Sequence, residues 1–245
     1  MRVRWMDPRS ENRYGDQKHY DPSLPVFADW LPHVSSILGA LTPGSPQRCT
    51  KLELQRGAAA IEIDLALGDV PCSVQLVRNG DQRKRLMEVA TAKGVLQLDF
   101  SREPGTIIVD SARTNGDPDW ETAGRPAACM LAAFLQWAAG GEFDSRLDTT
   151  IGLRAASVID QSWSLYRPAQ AAWLNAKLGS GEPLDEDLRY ALSEMLQPNA
   201  SFPASEIDRQ IERVLQRFSG KDCAVWLGEL GRAQDLPEFF RTIAV

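Results

Sequence analysis

Six short strand-like segments follow one another between Cys49 and Asp110 with no helix-length segment between them, and this limits the available folds more than any other feature. In Ala59–Leu67 the residues Ile61, Ile63, Leu65 and Leu67 share one face. Cys49–Gln55, Cys72–Val77, Arg85–Val89, Val95–Phe100 and Thr106–Asp110 continue the series. Turns fall at Gly68-Asp69, Asn79-Gly80-Asp81, Lys93-Gly94 and Pro104-Gly105. Strands joined by tight turns pair mainly antiparallel, and their alternation leaves one face polar and one packed. The fold class expected is α+β: an open, mainly antiparallel sheet of about six or more strands with helices on one face, followed by an all-helical annex.

Helical periodicity supplies the cover. Val34, Ile37, Leu38 and Leu41 form one stripe, and Ala127, Leu131, Phe134, Leu135 and Ala138 form a second that ends at Gly140-Gly141. Ala155, Val158, Ile159, Ser162, Trp163 and Tyr166 form a third, expected to close at Pro168. Beyond it only helices are expected. One carries Leu188, Ala191, Leu192 and Met195; another is capped by Ser205 and carries Ile207, Ile211, Val214, Leu215 and Phe218. Asp222 and Asp235 look like caps for two short closing helices. The division expected is an extended arm over 1–25, an α+β domain over 26–168 and a helical annex over 169–245.

A formal charge of −6 and a pI near 5.1 argue against a general nucleic-acid binder. No apolar run nears the ~18 residues of a membrane span, and the N-terminus lacks the apolar core of a secretory signal. Cys49, Cys72, Cys129 and Cys223 have neither zinc-site spacing nor a close histidine, so reduced thiols in a cytoplasmic protein are expected. Arginine outnumbers lysine 21 to 6, as in a GC-rich bacterial genome. There is no Gly-x-Gly-x-x-Gly after a strand, no Walker loop and no Gly-x-Ser-x-Gly. A nicotinamide cofactor would therefore have to be held by another chain.

The chemistry-bearing pair is Asp29 and His33. A helix that starts at Asp29, with Pro32 in its first turn, places both on one face. A carboxylate beside an imidazole can orient or exchange a proton near neutral pH; a helix cap beside a half-buried histidine fits the same spacing. On the arm, His19 and Tyr20 lie near Asp16, and Asp117, Asp119 and Trp120 precede Arg125 at a helix start. Carboxylates and an aromatic platform suit a sugar-like ligand, though turn residues and a core tryptophan read equally simply. Arg83-Lys-Arg85 reads as the solvated start of an edge strand.

In their order, Asp29-Trp-Leu-Pro-His33, the hairpins through Val95–Phe100 and Glu103-Pro-Gly105, Gly116-Asp-Pro-Asp-Trp120, Arg125-Pro126, the helix Met130–Leu135, and Arg146-Leu147 followed by Gly152–Ser157 resemble the C-terminal domain of the Gfo/Idh/MocA oxidoreductases. The resemblance covers about residues 11–167. It implies a substrate-binding sheet domain that often makes the oligomer interface and normally accompanies an N-terminal Rossmann domain. His33 would then move a hydroxyl proton during hydride transfer, with Asp29 nearby. The Glu-Lys-Pro lysine that shares this work in the family has no counterpart in this sequence. The function expected is a substrate-binding and assembly subunit for a sugar- or polyol-like substrate. It carries no cofactor of its own, takes NAD(P) only through a Rossmann partner, and assembles with that partner or with itself through the sheet. The alternatives are a cofactor-independent isomerase, lyase or cyclase that uses His33 and Asp29, and a non-catalytic binding or scaffold module.

Overall fold

Arg2-Val-Arg-Trp-Met-Asp-Pro8 alternates as a strand must: Val3, Trp5 and Asp7 are buried, while Arg4 and Met6 lie half-buried on the other side. A computed structural model describes residues 1–13, 15–17, 24–102, 104–110, 112–116, 126–196 and 204–244, and in it this segment is the strand β1 (Arg2–Pro8). The expected arm over 1–25 is thus corrected over its first third. The small hairpin β2 (Asn12–Arg13) and β3 (Asp16–Gln17) follows, then helix α1 (Val26–Leu41). The sheet continues through β4 (Gln47–Leu54), β5 (Ala60–Leu67), β6 (Val70–Gly80), β7 (Lys84–Thr91), β8 (Gly94–Asp99), β9 (Thr106–Val109) and β10 (Ala112–Asn115).

Eight strands form one open sheet in the order β10-β9-β8-β7-β1-β6-β5-β4. Every neighbouring pair is antiparallel except β1 with β6. β1 lies between β6 and β7, which are consecutive in the chain, so the first strand fills a hairpin that has opened to admit it. β7 is therefore interior, and the edge-strand reading of Arg83-Lys-Arg85 does not hold. Arg85 instead pairs with the buried Asp7 at 2.6 Å, and Arg83 with Glu11 at 3.3 Å.

α1 begins three residues earlier than its caps imply, directly after Pro25, so Asp29 lies in its first turn and Pro32 inside it. It buries Val26, Phe27, Trp30, Leu31, Val34 and Leu38 against β5, β6 and the long helix α3. Each such side chain contributes about 2 kcal/mol. Between them come α2 (Pro126–Ala138), a single turn of tighter helix over Ser145–Leu147, and then α3 (Thr149–Gly179), capped by the Asp148 carboxylate on the Thr150 amide at 2.9 Å. Gln161 of α3 accepts from the Cys49 amide at 3.0 Å, so the helix also satisfies the sheet's β4 edge.

Two sequence expectations change here. α2 does not cover the sheet: Met130, Leu131, Phe134, Leu135 and Trp137 are each 46–59% exposed. And α3 passes through Pro168, so the expected boundary at 168/169 falls inside a helix. Val158 and Tyr166 pack in the core under the sheet, whereas Leu174 and Leu178 pack in a second core. Burial on both sides of the proline offsets the backbone hydrogen bond it removes. The second core is closed by α4 (Glu186–Leu196), α5 (Ala204–Ser219), α6 (Cys223–Leu230) and α7 (Leu236–Ile243). Asp235 caps α7 through the Glu238 amide at 2.9 Å, while Asp222 forms no side-chain cap.

Candidate functional site

Arg78 ends the inward-facing row of β6, where Cys72, Val74 and Leu76 are buried before it. Its guanidinium is 1% exposed and cannot stay charged there without partners. Nη2 donates to Asp29 Oδ2 at 2.8 Å, and Nη1 donates to the Tyr190 hydroxyl at 2.9 Å and the Leu24 carbonyl at 2.7 Å. The Trp30 ring lies 5.7 Å from its centre. Asp29 is thus held by an arginine, and no hydrogen bond joins it to His33.

His33, one turn further along α1, is exposed. Its ring lies parallel to Trp5, with centroids 6.5 Å apart and planes inclined by 9°. The Arg85 guanidinium also lies over Trp5, at 4.7 Å, and is fixed by two bonds to Asp7. The exposed imidazole therefore stands beside a braced aromatic ring.

The sheet face beneath changes character at this point. Val3, Met87, Leu98 and Ile107 are directly opposed across β1, β7, β8 and β9 and so share one face. Val3 and Met87 are buried, Leu98 is half-buried and Ile107 is 44% exposed. The helical cover runs out along this row, and His33 stands where it ends.

Behind Arg78 the polar chain continues into the annex. Glu194 on α4, a carboxylate on the same face as Ala191, accepts from the Tyr166 hydroxyl at 2.6 Å and from Gln170 at 3.1 Å. Burial raises its pKa to about 7, even though those bonds and the Arg78 charge favour the ionised form. Burial also pushes the Tyr166 hydroxyl well above its ordinary value, with the Glu194 charge adding to the shift. Arg78, Tyr190 and Glu194 were not singled out from sequence, and Tyr166 was read only as part of a helical stripe. Two signals existed: an arginine in an inward strand position, and a glutamate on the apolar stripe of α4.

His19, Tyr20, Asp117, Asp119, Trp120 and Arg125 lie outside the described residues. Among the described residues no group of His, Cys, Asp and Glu is arranged to hold a metal ion. Burial raises the Cys72 thiol to about 11 and the Cys49 thiol above its usual value, so neither is a ready thiolate. No described helix is long and apolar enough to cross a membrane. The positive-φ glycines at 57, 68, 94 and 105 are in strand-to-strand turns, and those at 44, 140 and 181 follow helices. None forms the strand-to-helix turn that cradles a pyrophosphate.

No family model matches the chain, and no curated protein matches it. Solved structures do. Two crystal forms of UDP-N-acetylglucosamine 3-dehydrogenase GnnA from Acidithiobacillus ferrooxidans are each similar to it at 16% identity and a TM-score of 0.49, covering 67% of this chain and 52% of that one. The chain thus spans about half the length of the protein it matches.

Proposed function

We propose that this chain is the substrate-binding and assembly unit of a Gfo/Idh/MocA-type oxidoreductase acting on a sugar- or polyol-like molecule, with NAD(P) held by a partner that carries a Rossmann domain. The observation that supports it is the placing of His33: exposed, braced on Trp5, and standing where the sheet loses its helical cover. Such a site has one wall built and the other open to a second chain. On this reading the imidazole takes the proton of a substrate hydroxyl, and the chain carries out no redox step itself.

Calorimetric titration of the purified chain with NADH and NADPH is expected to show no saturable binding, whereas the complex isolated with its partner binds and turns over. His33→Ala should abolish that turnover and leave the melting temperature nearly unchanged. Tight cofactor binding by the chain alone would remove the proposal. The Asp29–Arg78 ion pair favours a second reading, a non-catalytic binding module, because it engages the carboxylate that a dyad would need. Full turnover by the His33→Ala complex would select it.

A further inference from the structure

Where α3, α4 and the loop into α7 converge, a cavity of about 460 Å³ opens, within the range of small-molecule sites. Trp163 and Ala171 of α3, Met195 of α4 and Leu236 of α7 give it apolar walls. Glu194 also lines it. Its Oε1 already holds two donors, from Tyr166 and Gln170, while Oε2 is shielded from solvent and meets no partner among the described residues. A buried carboxylate oxygen without a donor is costly, and Glu194 stands in the cavity wall, where an N–H of a bound molecule would supply that donor.

The charges around the cavity define what would complete it. Arg78, the buried cation that acts on Glu194, is already bound to Asp29 and Tyr190. At the rim stand one exposed cation and one exposed anion, Arg167 and Asp235. Arg167 lies over the Trp163 ring at 5.5 Å, and Asp235 Oδ1 caps α7. The rim charges balance, which leaves the Glu194 carboxylate as the group in want of a counterion. We propose that this cavity binds a small organic amine, its protonated nitrogen on the Glu194 carboxylate and its apolar body between Trp163 and Met195. The nitrogen gains a charge-assisted bond away from water, and the body gains contact with an aromatic and a thioether wall. The proposal is independent of His33 and of any partner chain.

The test titrates the whole chain at pH 8 with phenethylamine and with its neutral counterpart 2-phenylethanol, by calorimetry and tryptophan fluorescence. The amine is expected to bind saturably and at least tenfold more tightly than the alcohol. Glu194→Gln should weaken the amine at least tenfold. Ala233→Trp, which fills the cavity from the loop wall without touching the carboxylate, should abolish binding with the circular dichroism spectrum retained. Absence of saturable amine binding, or equal affinity for amine and alcohol, overturns the proposal. That comparison uses the unaltered chain, so it decides the question even where a variant fails to fold.

Discussion

Four residues of α1 separate a side chain that the fold needs from one that it presents. Asp29 supplies the carboxylate that pairs with a guanidinium that has left water, so its loss removes a partly buried ion pair. His33 rests on Trp5 and faces outward. Asp29→Ala is expected to cost about 2 kcal/mol or more of unfolding free energy, and His33→Ala about 1 kcal/mol or less. Urea unfolding of the two variants measures the contrast, and equal losses would make His33 a structural residue. Glu194 adds a pH dependence. Its carboxyl titrates near 7 in the folded chain against an ordinary 4.5, so between those values the folded state keeps a proton that the unfolded state has released. Stability on its account is fully present below pH 4.5, falls as pH rises toward 7, and is level above; the loss is about 3 kcal/mol. Glu194→Gln removes the titration, so its melting temperature should change less between pH 5 and pH 8 than that of the unaltered chain. A parallel pair of pH profiles would contradict the assignment.

At the scale of elements, the turn between β4 and β5 shows how tightly sheet and helix meet. Gly57 adopts φ +56, and a Cβ there would come within 2.8 Å of the Trp173 ring on α3. Gly57→Ala should therefore cost about 2 kcal/mol, since strain and overpacking add; thermal melting would show it, and an unchanged midpoint would mean that Trp173 yields freely. The hairpins from β4 to β9 were legible in sequence because each keeps a period of two and each turn carries its own punctuation. β1 was not, because arginines hold two of its outward positions and one of its three inward residues is Asp7, whose charge is met there by Arg85 arriving from β7. That partner is 78 residues away, and no local pattern announces it. The same holds for the site: Asp29 and His33 stood out by spacing, but the arginine that claims Asp29 comes from a strand 49 residues on. The end of α3 was misread at Pro168 for a related reason. A proline marks where a helix is weakened, and only burial on both sides shows that it survives.

Among the described residues, apolar side chains stand exposed on two elements, β9 and α2. Ile107 of β9, 44% exposed, ends the row that begins with buried Val3; Val109, 49% exposed, follows two residues on along the same strand, and α2 displays Met130, Leu131, Phe134 and Leu135. Exposed apolar side chains grouped on one strand and on one helix call for an occupant, and on the reading proposed above that occupant is the nucleotide-binding partner or a second copy. The row along β9 is the better placed of the two, because it continues the face on which His33 stands. Replacing Ile107 and Val109 by aspartate sets two charges on strand positions that are already half open to water, so the fold should survive with a melting temperature within about 4 °C of the original. Light scattering on a sizing column should then show a monomeric mass for the double variant where the unaltered chain shows an assembly, alone or with its partner. Replacing Leu131 and Leu135 by aspartate serves as the comparison, since it burdens α2 and leaves the row under His33 intact. Loss of assembly in the β9 variant alone ties association to the face that carries His33. Loss in the α2 variant alone moves the interface to the helix and separates assembly from the candidate site.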